Sequence, residues 1–165
     1  MNISTEALIY KAALEDWCST NGGIAIVVSN LRMLWQQAAM ESDRVRALIC
    51  YVGESARGPF SRAAATGRVD RQWQIAFTRG RGLNEDRGTS LTDTVGNADP
   101  FLDLVENGRD KIRCLFTTSV EAPLDYKGME PMSMGNLIVD GYTIKFSTAH
   151  DLPGLTQTSP TGNPI

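Results

Sequence analysis

Long apolar runs are missing from this chain. Runs such as Ile24–Val28 fall far short of the ~20 residues that a membrane-crossing helix needs. The first residues show no basic stretch followed by an apolar core, so no signal peptide is expected. Histidine is reduced to His150, and the three cysteines, Cys18, Cys50 and Cys114, stand far apart in apolar contexts. No C-x-x-C or H-x-x-x-H spacing occurs, so nothing assembles the three or four ligands of a zinc site. Three scattered thiols read instead as buried free cysteines in a reducing cytoplasm. Basic charge is also short: 16 Lys and Arg against 19 Asp and Glu leave a net charge of −3. A chain whose main task is to hold a nucleic-acid backbone is usually basic.

The remaining places to look for chemistry are equally thin. His150 is followed by Asp151, but a triad needs an orienting group held by the fold, not by chain neighbourhood. It reads as a strand-end histidine, either satisfied or exposed. Gly80-Arg81-Gly82-Leu83-Asn84-Glu85 lacks the Gly-Lys-Ser/Thr ending of a phosphate loop. The carboxylate pairs Glu15-Asp16 and Glu85-Asp86 are adjacent in sequence, an arrangement that reads as solvated charge rather than as an acid/base couple. No catalytic, cofactor-binding or metal-ligating residue is assigned, no cofactor is expected, and the expectation is a protein that is not an enzyme.

What is present is a strand pattern. From Val69 to Arg79, Val69, Trp73, Ile75 and Phe77 occupy odd positions while Asp70, Gln72, Gln74 and Thr78 occupy even ones. A period of two gives one apolar and one wet face. Tyr142, Ile144 and Phe146 alternate in the same way with Thr143, Lys145 and Ser147. Trp73, Ile75, Phe77, Tyr142, Ile144 and Phe146 are therefore the candidate core, with the two strands as neighbours across a sheet. Asp140-Gly141 reads as a tight turn or a bulge. Val45–Val52 is short and nearly all apolar, as a strand buried on both faces would be.

Helical signals surround these strands. Residues 3–18 have Ser4 or Asn2 as cap and Tyr10, Leu14 and Trp17 on one face. A second helix is expected from about Ser29, with Leu31, Leu34, Trp35 and Ala38 as its apolar stripe; residues 24–28 are ambiguous between helix and strand. Asp99-Pro100 opens a third, with Phe101, Leu104, Val105, Ile112 and Leu115 as its stripe and Gly108 inside it. The alternative there is a helix ending at Asn107-Gly108 and a strand over 112–117. A further strand is expected near Thr117–Ala122, followed by a Gly-, Pro- and Met-rich loop. The fold class is α+β: a mainly antiparallel sheet of about four to five strands, packed by two to three helices on one face. Residues 1–152 form one domain with long loops at 53–67 and 80–98, and residues 153–165 form a flexible C-terminal arm.

Charge is concentrated in one place. Seven of the twelve arginines fall between Arg57 and Arg87, opposed only by Asp70, Glu85 and Asp86. A solvated face, a subunit contact and a phosphate contact all fit such a segment. The interface candidates are Arg57, Arg62, Arg68, Arg79, Arg81 and Arg87, because arginine's planar fork suits protein interfaces. Only Phe60 and Trp73 interleave them, which gives no stacking platform for single strands.

The stretches Ala47-Leu48-Ile49-Cys50-Tyr51-Val52, Arg71-Gln72-Trp73-Gln74-Ile75-Ala76-Phe77 and Val139-Asp140-Gly141-Tyr142-Thr143-Ile144-Lys145-Phe146-Ser147-Thr148, with the helix from Asp99 to about Leu115 between the last two, form an ordered pattern over residues 29–152. This pattern resembles the tail terminator (tail completion) proteins of long-tailed bacteriophages and their head–tail joining relatives. The chain is longer than that family, with its excess in loops 53–67 and 80–98 and in the tail. The resemblance implies a structural virion assembly protein located in the tail or neck and assembled in the host cytoplasm. It would form a homo-oligomeric ring, typically hexameric, that ends polymerisation of the tail tube. Its partners would be the tail tube protein and a head–tail connector protein, with DNA passing through the lumen without sequence-specific binding and no membrane involved. An acidic ring suits that passage, since it does not trap phosphate. Two other readings are a head-completion or neck connector protein of the same fold family and an unrelated cytoplasmic protein-binding module.

Overall fold

The computed structural model describes residues 2–20, 23–40, 44–57, 67–78, 100–115, 124–134 and 137–152. The elements are α1 (Ile3–Thr20), β1 (Ile24–Val28), α2 (Leu31–Ala39), β2 (Arg46–Arg57), β3 (Gly67–Thr78), α3 (Pro100–Cys114), β4 (Leu124–Met134) and β5 (Leu137–Leu152). The strands form one sheet in the order β1-β2-β3-β5-β4. β1 runs parallel to β2 and all other neighbours are antiparallel. The fold is therefore α+β, on a mixed and mostly antiparallel sheet.

The period of two places the core. β3 and β5 pair Trp73 with Phe146, Ile75 with Ile144 and Phe77 with Tyr142. Of these six side chains only Tyr142 is more than marginally exposed. β2 adds Ala47, Ile49 and Tyr51 to the same face, and α1 and α3 cover it with Tyr10, Leu14, Trp17, Phe101, Val105 and Ile112. The aromatic rings meet edge to face: Tyr10 lies 5.0 Å from Trp73 and 5.2 Å from Phe146, and Trp17 lies 5.3 Å from Phe77. Such pairs contribute about 0.5–1.5 kcal/mol each beyond their buried area. α2 lies on the opposite face, where Leu34 and Ala38 pack against Leu48, Cys50, Ala76 and Met132. The helices thus divide two and one between the faces, and the all-apolar run in β2 is the consequence of being covered on both.

Helix ends follow local chemistry. Asn2, not Ser4, caps α1, its Oδ1 accepting from the Thr5 amide at 2.8 Å. Asn30 caps α2 in the same way, accepting from the Met33 amide at 2.9 Å, so the helix begins after Ser29. Leu31, expected in the buried stripe, is exposed instead. At the other end of α2 the buried Arg46 donates to the carbonyls of Ala38 and Met40, at 3.4 and 2.6 Å, and to Thr78 Oγ1 at 3.2 Å. Those carbonyls have no partner within the helix, so a core arginine closes it.

Several expectations need correcting. The ambiguous Ile24–Val28 is a strand, β1. β2 does not stop at Gly53 but continues to Arg57, which takes residues 53–57 out of the expected loop. α3 runs unbroken through Gly108 to Cys114, so the shorter helix with a strand over 112–117 is not formed. Gly108 is required there: a Cβ would stand 2.7 Å from Phe77 Cε1. The Gly-, Pro- and Met-rich stretch expected as loop is β4, an edge strand, where Pro131 loses no needed hydrogen bond. Of the two readings of Asp140-Gly141 the tight turn is not formed, since β5 runs straight through, while the irregularity of a bulge is present: the pairing with β4 shifts there, between Pro131 opposite Tyr142 and Ser133 opposite Ile138. Cys18 and Cys50 are buried, but Cys114 is exposed on the outer side of α3. The strand expected near Thr117–Ala122, most of both long loops and the arm lie outside the described residues.

Candidate functional site

Each apolar stripe ends in a polar residue, and the polar ends converge. On β3 the inward face runs Phe77, Ile75, Trp73 and then Arg71; on β5 it runs Tyr142, Ile144, Phe146, Thr148 and His150. On α1 the stripe Trp17, Leu14, Tyr10 ends one turn earlier at Glu6. Arg71, Thr148, His150 and Glu6 are all buried, and the Glu6 side chain is fully so.

Glu6 is the centre. Its Oε1 accepts from the Tyr10 hydroxyl at 2.7 Å and from the Thr148 hydroxyl. Its Oε2 accepts from Arg71 Nη1 at 3.1 Å and lies 3.1 Å from His150 Nε2. His150 Nε2 is also 3.0 Å from Thr148 Oγ1. A carboxylate offers about four lone-pair sites, and three donors and the His150 ring nitrogen surround this one. Burial, reinforced by the charge of Glu6 and the hydrogen bond to it, pushes the Tyr10 phenol far above its ordinary range, so it stays neutral and donates. Burial alone would weaken the Arg71 charge, but hydrogen bonds to Glu54 and Glu6 reverse that and raise its pKa.

A bulge supplies the second partner of Arg71. Tyr51 pairs with Trp73, yet the next pair is Gly53 with Gln72, leaving Val52 as the extra residue. Side chains alternate along a strand, so without the bulge Glu54 would face away from Tyr51. With it, Glu54 stands opposite Arg71 on the α1 side and accepts from Arg71 Nε at 2.8 Å. Gly53 absorbs the distortion at φ 155°, a conformation that other residues rarely adopt.

The Glu6 carboxylate is buried beneath α1 and engaged on both oxygens by protein side chains. It ties the first turn of α1 to β3 and β5. On the other face a depression of about 370 Å³ is lined by Trp35, Glu130, Pro131, Met132 and Thr143, and the Glu130 carboxylate is already paired with Lys145. Among the described residues no group of three or more His, Cys, Asp or Glu side chains is placed to hold a metal ion. No described helix is long and apolar enough to cross a membrane.

The arginines singled out in the sequence do not gather into one described site. Arg57 ends β2 opposite Arg68 on β3. Arg68 is exposed and pairs with Asp151 at 2.8 Å. Arg62, Arg79, Arg81 and Arg87 lie outside the described residues. Within that segment, Arg71 is buried in a network with Glu6 and Glu54; it is absent from the interface candidates although it occupies an odd position on the apolar face of its strand. The same signal was available for His150 and Thr148, which continue the even positions of Tyr142, Ile144 and Phe146.

The two edges of the sheet differ sharply. The β4 edge carries Lys127, Asp125 and Glu130 exposed, a proline and two register shifts, devices that discourage strand addition. The β1 edge is Ile24-Ala25-Ile26-Val27-Val28, without charge, proline or bulge. Ile24 and Val27 are 41% and 42% exposed, and the exposed Leu31 and Met33 of α2 follow them in the chain. The Ile24 amide donates to the Val45 carbonyl at 2.9 Å, toward β2. Alternation then turns the amides and carbonyls of Ala25 and Val27 away from β2; Ala25 is itself buried in the core. No protein-family model matches the chain, and no curated protein matches it.

Proposed function

We propose that this chain is a structural assembly subunit of the phage tail terminator kind. In this reading it closes into a ring on the head-proximal end of a tail tube, ends tube growth and offers a face for head joining. The observation that carries the reading is the inequality of the sheet edges. A ring needs heterologous contacts, so each subunit must offer two different patches that close by rotation. The β1 side of the sheet, where Ile24 and Val27 are exposed and no charge, proline or bulge interrupts the strand, is one such patch among the described residues. The guarded β4 edge keeps copies from adding β1 to β4 without limit, the route by which open edges produce fibres. The Glu6 cluster supports the same reading, because the lone histidine and the buried carboxylate are both engaged in holding α1 on the sheet.

The test is assembly with purified tail tube protein, followed by electron microscopy and sedimentation. Expected are tubes of limited length capped at one end by a multi-subunit ring. A chain that is monomeric at every concentration, alone and with tube protein, while tubes elongate unchecked, would remove the proposal. Replacing Arg79 and Arg81 together by glutamate should leave the fold intact and impair assembly. Normal capping by that double variant would exclude their loop as a docking surface.

A further inference from the structure

The chain holds a single histidine, the residue type whose ordinary titration falls between about pH 5 and 8. The fold sets it against a buried carboxylate. His150 Nε2 lies 3.1 Å from Glu6 Oε2, with 7% of the histidine side chain exposed and none of the glutamate's. The second atom facing that nitrogen is Thr148 Oγ1, at 3.0 Å. Thr148 donates its own hydroxyl proton to Glu6 Oε1. Both atoms in front of Nε2 therefore present lone pairs, so Nε2 carries hydrogen and the neutral ring leaves Nδ1 bare. No hydrogen bond to Nδ1 is made among the described residues, and the small exposed part of the side chain admits a proton from water.

The groups around the ring come from four elements. α1 contributes the Glu6 carboxylate and the Tyr10 phenol, β2 the Glu54 carboxylate and the Tyr51 phenol, β3 the Arg71 guanidinium and β5 the Thr148 hydroxyl. Both phenols are pushed upward by burial and stay neutral. Arg68 and Asp151 stand on the opposite face by alternation and pair with each other at 2.8 Å. Two carboxylates against one guanidinium leave one negative charge unbalanced among the described groups of the cluster. Burial opposes charging the ring, and a carboxylate at contact favours it. An imidazolium here balances the cluster, whereas a neutral ring leaves the excess charge in a site shielded from water.

We propose that His150 is a proton-operated latch for α1: uptake of a proton at Nδ1 makes Nε2–H a charged donor to Glu6, and α1 is held to β3 and β5 more firmly in mildly acidic than in mildly alkaline solution. The bond formed is N–H at Nδ1, the proton comes from solvent, and Glu6 stays ionised throughout. The sign follows from linkage. A proton held more tightly by the folded chain than by the unfolded one stabilises the fold fully below about pH 6.5, and that stabilisation is lost as pH rises above it. All the groups belong to one copy, so the latch operates whether or not copies assemble into a ring.

The experiment is urea unfolding of the full chain at pH 6, 7 and 8. The midpoint of the parent should rise by about 0.3–1 M from pH 8 to pH 6. His150→Gln keeps a hydrogen-bonding amide but takes up no proton, and it should show no such rise. The α-amino group also titrates near pH 7.7, and its contribution would survive in that variant. Glu6→Gln keeps the histidine without its carboxylate and should lose most of the rise. Hydrogen exchange locates the effect: protection at the Ala7–Tyr10 amides of α1, corrected for the intrinsic rate at each pH, should increase at least about threefold from pH 8 to pH 6 in the parent. A parent midpoint that is flat or falls over this range, unchanged protection at those amides, or an equal rise in His150→Gln overturns the proposal. Should His150→Gln fail to fold, a full-sized rise in Glu6→Gln overturns it as well.

Discussion

Replacing Glu6 is the sharpest perturbation of this fold. Glu6→Ala removes the acceptor of two hydroxyls and of Arg71, together with the partner of the His150 Nε2. Arg71 keeps Glu54 at 2.8 Å, but Tyr10, Thr148 and His150 lose a buried partner. Breaking a buried ion pair from one side costs about 3–5 kcal/mol, a large part of the roughly 5–15 kcal/mol that stabilises a domain. Glu6→Gln separates charge from geometry. Its amide oxygen can still accept from Arg71 and His150, and its NH₂ can donate to the Tyr10 and Thr148 hydroxyls once these rotate. The expected loss is about 1–2 kcal/mol, near the value of one or two hydrogen bonds. Urea unfolding at neutral pH, followed by tryptophan fluorescence, measures both, since Trp73 lies against Tyr10. With a urea slope of about 1–3 kcal/mol/M, Glu6→Ala should lower the midpoint by on the order of 1–3 M. Combining it with Arg71→Ala should cost less than the sum of the two, because they share one network. An alanine variant within about 0.5 kcal/mol of the parent, which is the ordinary range for an unimportant surface change, would refute the view that this cluster holds α1 to the sheet.

Other predictions test the packing and the titrating groups. Trp73→Ala should cost ~3–5 kcal/mol and leave little folded protein, seen as loss of the cooperative unfolding transition. Gly108→Ala should destabilise by about 1–3 kcal/mol despite alanine's better helix propensity, because its Cβ would stand 2.7 Å from Phe77; thermal melting checks the sign. Among the thiols, the exposed Cys114 should react first with a maleimide in native protein, since burial pushes Cys18 up to about 12 and Cys50 up to about 11. Equal rates at all three would overturn that burial. The same groups make the fold alkali-sensitive. Above about pH 9 the unfolded chain releases its thiol and phenol protons while the folded chain keeps those of Cys18, Cys50 and Tyr10. Unfolding free energy should therefore fall with rising pH, by up to about 1.4 kcal/mol per unit for each group. Denaturation midpoints unchanged between pH 8 and 10.5 would contradict it.

Much of the core is legible in the order of residues alone. Trp73, Ile75 and Phe77 alternate with polar residues, as do Tyr142, Ile144 and Phe146, and alternation is a local property of a strand that needs no knowledge of its neighbours. The stripe Tyr10, Leu14, Trp17 on α1 is readable for the same reason. Local patterning fails where context decides. Ile24–Val28 is too short and too uniformly apolar to declare its period, and it is a strand by virtue of pairing with β2. Leu124–Met134 looks like a loop because of its glycine and proline, residues that an edge strand tolerates.

The sequence by itself determined which faces are apolar and which class of fold they build, because these depend on residues a few positions apart. Tertiary structure alone decided the rest. Glu6 meets Arg71 across 65 residues and Thr148 across 142, and only the register of β3 against β5 lines these side chains up. One extra residue at Val52 turned Glu54 toward Arg71. Which strands stand at the two sides of the described sheet followed from strand order, with β1 at one and β4 at the other. Such pairings depend on long-range geometry, and a periodicity repeating every two or four residues carries no record of it.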